Sequence, residues 1–209
     1  DYAYPLPQDR AEPFRPYVAV VPSPWSKDRR ILHIGLQGYD VQRQNTPPLN
    51  LVFLVDTSGS MTVGSKIQSL RTELARSVSE LLQNSHYLVV PFSTDAAPLG
   101  GKVAWYEATD RNKRATGREI EVLPADGGTN PSPAFMIAFS LKPKPDAIYF
   151  MTDGEFSPTV VDEIAALNRR ADIRIHCICF VSKGSEEQMK QIAKQSGGTY
   201  TFVPGIGGP

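Results

Sequence analysis

The sequence predicts an α/β fold: a Rossmann-like, doubly wound, mostly parallel sheet with helices on both faces, joined to an N-terminal β extension. Three observations predict it. Leu51-Val-Phe-Leu-Val55 is a continuous apolar run, the mark of a strand covered on both faces, and Asp146-Ala-Ile-Tyr-Phe-Met-Thr152 reads as another. Ile67, Leu70, Leu74, Val78, Leu81 and Leu82 recur at spacings of three and four with charges between them, one stripe of a long helix. Runs and stripes of these kinds alternate from Asn50 onward, and such alternation builds sheets that bind ligands beyond the carboxyl ends of their strands.

The elements follow in order. Pro5, Pro7, Pro13 and Pro16 make the first sixteen residues an extended arm. Tyr17 to Val21 and Ile31 to Leu36 read as strands joined by the turn-rich Pro22-Ser-Pro-Trp-Ser-Lys-Asp28, and Pro47-Pro48 ends this appendage. The division is therefore 1–48 for arm and hairpin and 49–209 for the main domain. Within the latter, Tyr87 to Phe92 is a strand, Lys102 to Trp105 an antiparallel edge strand reached through Gly100-Gly101, and 110 to 122 a helix. Pro131 to Leu141 is a short helix with its prolines in the first turn, where a missing N–H costs little. Ser157-Pro158 caps and starts the helix carrying Val160, Ile164 and Leu167. After a strand over 173 to 180, Ser185 caps a helix with Met189 and Ile192 that ends at Gly197-Gly198, and Thr199 to Val203 closes the series.

Composition narrows the function. In a chain of 209 residues, 22 basic residues balance 22 acidic ones, which argues against a nucleic-acid binder or a polybasic membrane-surface protein. No apolar run is long enough to span a bilayer, so membrane attachment is expected only through parts outside this chain, which we read as a monomer. The chain begins at Asp1 without an initiator Met and reads as a processed or excised piece. Cys177 and Cys179, two apart on one strand, face the same way and are expected to be buried free thiols.

The chemistry-bearing residues fall at strand ends. Asp56-Thr-Ser-Gly-Ser60 follows the first buried strand, Gly127-Gly-Thr129 precedes a short helix, and Asp153-Gly154 follows the strand ending at Thr152. Taken singly, such serines and aspartates are more often helix or turn caps. Three loops brought together by one topology are another matter. Ser58, Ser60 and Thr129 would supply neutral oxygens while Asp56 and Asp153 balance charge, a set suited to a hard cation such as Mg²⁺, or Mn²⁺ or Ca²⁺ in its place.

These five residues resemble the metal-ion-dependent adhesion site of the von Willebrand factor type A family: Asp-x-Ser-x-Ser at Asp56, Ser58 and Ser60, then Thr129, then Asp153 in a Thr-Asp-Gly context. The resemblance spans residues 50 to 203. It implies a bound divalent cation, a non-enzymatic binding module and a protein partner presenting an Asp or Glu carboxylate. In the family the Thr engages the metal most directly when the site is ready for ligand. Pro24-Trp25, Leu32-His-Ile-Gly-Leu-Gln-Gly-Tyr-Asp40 and Pro47-Pro-Leu-Asn-Leu-Val-Phe-Leu-Val-Asp56 are similar to the lead-in of bacterial cell-envelope proteins carrying such a domain, which implies the bacterial periplasm or cell surface. Residues after 120 are more similar to another bacterial group. Family members serve in adhesion, in surface assemblies and as adaptor subunits of ATPase complexes.

A nucleotide hydrolase is the rival reading. Gly59-Ser-Met-Thr-Val-Gly64 has the glycine spacing of a P-loop, but Ser65-Lys66 puts the two residues that should follow in the wrong order. There is no G-x-S-x-G elbow, and His33, His86 and His176 lack metal-ligand spacing. Glu155, Asp126 and Asp95 are read as rim residues that tune docking, and Lys142-Pro-Lys-Pro145 as a solvated connection.

Overall fold

A computed structural model describes residues 7, 14–38, 47–182 and 184–204. The chain divides into two compact units, Asp1–Pro47 and Pro48–Pro209. In the first, β1 (Phe14–Pro22) and β2 (Arg30–Gly38) form an antiparallel pair in continuous register from Phe14↔Gly38 to Pro22↔Arg30. The expected arm lies outside the described residues apart from Pro7 and residues 14–16, which open β1.

The second unit is built on a six-stranded sheet of β3 (Asn50–Asp56), β4 (His86–Phe92), β5 (Tyr106–Glu107), β6 (Ala147–Thr152), β7 (Arg174–Phe180) and β8 (Tyr200–Val203), in the order β5-β4-β3-β6-β7-β8. All neighbours are parallel except β4 and β5. The helices are α1 (Lys66–Ser79), α2 (Asp110–Glu121), α3 (Ser132–Ser140), α4 (Thr159–Asn168) and α5 (Glu186–Ser196).

Alternation along each buried strand makes the two layers. Leu51, Phe53 and Val55 of β3 face Ile67, Leu70, Leu74 and Val78 of α1 and Ile120 of α2. Val52 and Leu54 face the opposite way, into a core with Phe135 of α3, Ile164 of α4 and Ile192 of α5. A strand apolar at every position satisfies both layers at once, which is why the periodicity of β3 vanishes in the sequence. Cys177 and Cys179 lie on the second face as buried free thiols.

Several local expectations need correction. α1 ends at Ser79, short of Leu81 and Leu82 of the expected stripe, and α4 has Pro158 rather than Ser157 at its N-cap position. The antiparallel edge strand is not Lys102 to Trp105 but Tyr106–Glu107, pairing through His86↔Glu107 and Tyr87↔Tyr106. The phenol of Tyr106 lies against Gly100, where an added Cβ would sit 2.3 Å from its oxygen, and its ring packs at 6.3 Å from Tyr87. Packing of that half-buried ring, rather than the apolar residues before it, accompanies the pairing position. Ser185 holds the N-cap position of α5 but makes no side-chain cap; its hydroxyl donates instead to the Gly154 carbonyl at 2.7 Å.

The strand order fixes where a site can form. From β3 the chain crosses by way of α1 to β4 on one side, and β6 pairs on the other, so the order reverses beside β3. Loops leaving the carboxyl ends of β3 and β6 diverge to opposite faces and leave a crevice between them.

Candidate metal centre

Asp56 is the last residue of β3 and is fully buried. Its Oδ1 accepts the Ser58 N–H at 2.7 Å and its Oδ2 accepts the Thr152 hydroxyl, so both oxygens are oriented from two different strand ends. Burial raises its pKa above the usual carboxylate range, the hydrogen bonds from Ser58 and Thr152 pull it back, and the negative charge of Asp153 raises it further. Two carboxylates therefore face one small volume closely enough to repel.

Ser58 and Ser60 lie on the turn that follows. Residues Gly59–Thr62 form a single 3-10 turn with Ser58 at its N-cap, yet Ser58 makes no side-chain cap. The capping explanation for this serine is thereby removed. Its hydroxyl lies 3.0 Å from that of Ser60, which donates to Oδ1 of Asp153 at 2.9 Å. A hydroxyl that gives its proton to a carboxylate keeps its oxygen lone pairs for another acceptor-seeking group. Ser58 is buried and Ser60 exposed, so the cluster opens to solvent at Ser60.

Asp153 follows β6 and is 3% exposed. Its Oδ2 is paired with the ammonium of Lys66. Thr129 reaches the same place from the second loop: a Cβ added at Gly154 would lie 3.0 Å from the Thr129 hydroxyl oxygen and 3.4 Å from Oδ2 of Asp56. The glycine thus leaves room for groups of the first and second loops to meet across the third.

All five sequence-predicted residues come together. Glu155, Asp126 and Asp95 are exposed, the latter two accepting their following N–H groups at 2.7 and 2.8 Å, and none joins the cluster. Among the described residues no group of three or more His, Cys, Asp and Glu is found, so the donor set is two carboxylates and three hydroxyls. That composition fits a hard, oxygen-seeking divalent cation and does not fit zinc, which prefers nitrogen and sulfur.

Sequence reasoning missed three supports. Thr152 orients Asp56, and Lys66 engages Asp153. The loop after β4 carries the second loop: the Thr94 hydroxyl accepts the Gly128 N–H at 2.9 Å and the Ser93 carbonyl accepts that of Asn130 at 2.7 Å. Gly127, at φ +83°, turns the second loop so that its carbonyl accepts the Gly59 N–H at 3.0 Å. Thr152 had a signal in its place before Asp153-Gly154; Ser93 and Thr94 had none.

Comparison with known proteins places these residues in context. A family model described as a von Willebrand factor type A domain matches residues 49–202. The uncharacterized protein YfbK of Escherichia coli (strain K12) is 24% identical over 210 residues, covering 95% of this chain and 36% of that protein. The chain therefore spans little more than a third of that relative's length. A von Willebrand factor type A structure from Catenulispora acidiphila superposes with a TM-score of 0.70 at 15% identity, over 92% of this chain and 46% of that one. The pilus adhesin SpaC from Lactobacillus rhamnosus GG superposes with a TM-score of 0.62 at 12% identity, over 92% of this chain and 31% of that one. Both structures share the fold.

Proposed function

The chain belongs to the von Willebrand factor type A family, whose members typically serve as interaction and adhesion modules, and from that premise we propose that it is a divalent-cation-dependent protein-binding module. Asp56, Ser58, Ser60, Thr129 and Asp153 would hold the ion. The observation that carries the reading is the convergence of two buried, mutually repelling carboxylates and three hydroxyls from three loops at the strand-order reversal. Burying two like charges is costly unless a cation compensates.

Bound there, Mg²⁺, Mn²⁺ or Ca²⁺ would supply an electrophilic position that an Asp or Glu carboxylate of a partner protein can fill. The chain's own residues prepare that position. Ser58 and Thr152 fix Asp56 so that its carboxylate cannot rotate away. Ser60 fixes Asp153 while keeping its own oxygen available on the solvent side. Neutral hydroxyls outnumber carboxylates, so the site retains attraction for an external acidic group. We read the protein as a non-enzyme acting outside the cytoplasm, on a bacterial periplasmic or cell surface; the likeness to a pilus adhesin supports that setting. The nucleotide-hydrolase alternative lacks support, because Ser65-Lys66 after Gly64 reverses the Lys-then-hydroxyl order that a phosphate cradle needs.

Calorimetric titration with Mg²⁺ tests the proposal. One binding site is expected in the wild type and none in Asp56→Ala. Undiminished binding in that variant, or no binding in the wild type, would end it.

A further inference from the structure

Lys66 is the first residue of α1, and no acidic residue accompanies it in the first turn. A cation there faces the positive end of the helix dipole, so the helix gains nothing from it. Solvation does not explain it either. The Lys66 side chain is only 14% exposed, and its ammonium is paired with Oδ2 of Asp153, whose side chain is 0% exposed. The ammonium also lies 3.5 Å from the carbonyl oxygen of Ser60, while the hydroxyl of that same serine donates to the other oxygen of Asp153. Lys66 therefore draws on the carboxylate and the serine assigned above to a divalent ion.

We propose that Lys66 is a tethered cation that competes with the divalent ion for Asp153, holding the metal-free site together and setting how tightly the ion binds. The inference rests on the metal-binding reading of the same site. In the metal-free protein the ammonium offsets the charge of a carboxylate that would otherwise be buried with no cation beside it and a second carboxylate, Asp56, nearby. When a divalent ion enters, two cations share one carboxylate at close range, and their repulsion is strong in a partly desolvated site. The four-carbon stem lets the ammonium swing out to solvent while Lys66 stays in the helix. Binding then becomes an exchange of a monovalent tethered cation for a divalent free one.

The full chain is titrated with MgCl₂ by calorimetry, and its melting temperature is measured in EDTA and in Mg²⁺, for the wild type, Lys66→Arg, Lys66→Met and Lys66→Gln. Lys66→Met and Lys66→Gln should bind Mg²⁺ at least about tenfold more tightly, whereas Lys66→Arg should stay near the wild-type constant. The two neutral variants should also melt lower in EDTA and gain more degrees from Mg²⁺ than the wild type gains. If Lys66→Met does not fold in EDTA, Lys66→Gln prepared in Mg²⁺ and compared by chelator competition gives the same comparison of affinities. Equal or weaker Mg²⁺ binding in the neutral variants, with one ion bound by the wild type, overturns the role of Lys66 and leaves the metal reading standing. No binding by the wild type or any variant overturns both.

Discussion

Thr129 differs from the other hydroxyls of the site in what holds it. Ser58 and Ser60 ride on the turn directly attached to β3, whereas Thr129 stands on a loop supported by Thr94 and Ser93, with Asp126 N–H donating to the Thr57 carbonyl at 2.8 Å. Its position thus depends on hydrogen bonds between loops that can break together. Water can replace one hydroxyl on Mg²⁺, but it cannot restore the loop position that an acidic ligand needs. Thr129→Ala should therefore lower affinity for a carboxylate-bearing partner by more than it lowers affinity for Mg²⁺. Both constants are measured for wild type and variant, and equal losses would make Thr129 a plain ligand.

At the scale of elements, two glycines in helix-associated positions should respond to alanine with opposite signs. Gly198 leads from α5 into β8, and a Cβ there would lie 1.9 Å from the backbone oxygen of Ile175 in β7. Backbone cannot rotate aside as a side chain can, so α5 or β8 must shift from β7. Gly198→Ala should destabilise by about 3 kcal/mol, at the upper end of the usual overpacking range. Gly117 lies inside α2 with nothing within 4 Å of an added Cβ. There the methyl group meets no neighbour and removes unfolded-state freedom, so Gly117→Ala should stabilise by roughly 0.5–1 kcal/mol. Urea melts of both variants against wild type decide the signs. A neutral Gly198→Ala would mean that the α5–β8 junction is softer than its packing implies.

For the whole molecule, the proposed reading is binding without turnover. His86 opens β4, and His176 lies mid-strand in β7, stacked at 5.1 Å on Tyr149, so neither is on the loops at the carboxyl ends of the strands. The two carboxylates in the cluster are already engaged, Asp56 by Ser58 and Thr152 and Asp153 by Lys66 and Ser60. A general base needs a free, reachable acceptor. The pure protein should show no Mg²⁺-dependent hydrolysis of ATP or of a simple phosphoester. Turnover that disappears in Asp153→Ala would show that one of these groups is released for chemistry.

The buried strands and the helices of the main domain were legible in the sequence, as were the place of the candidate site beyond the strand ends and its five candidate donors. Each of these is written locally. Apolar runs and stripes define elements through burial periodicity, and Asp56, Ser58, Ser60, Thr129 and Asp153 stand where those elements stop. The edge pairing at Tyr106–Glu107 was not legible, since it follows from the fit of the Tyr106 ring against Tyr87 and Gly100, nineteen and six residues away. Nor was the use of Ser185, which has the sequence position of a cap but spends its hydroxyl on Gly154, 31 residues distant. Lys66 shows the difference most clearly: in the chain it is one misplaced charge after a glycine loop, and only the pairing of β3 with β6 brings its ammonium to an aspartate 87 residues on. Local patterns state which groups a loop carries, but the contacts that orient and neutralise them are long-range, and their energies arise only once the sheet has closed the distances.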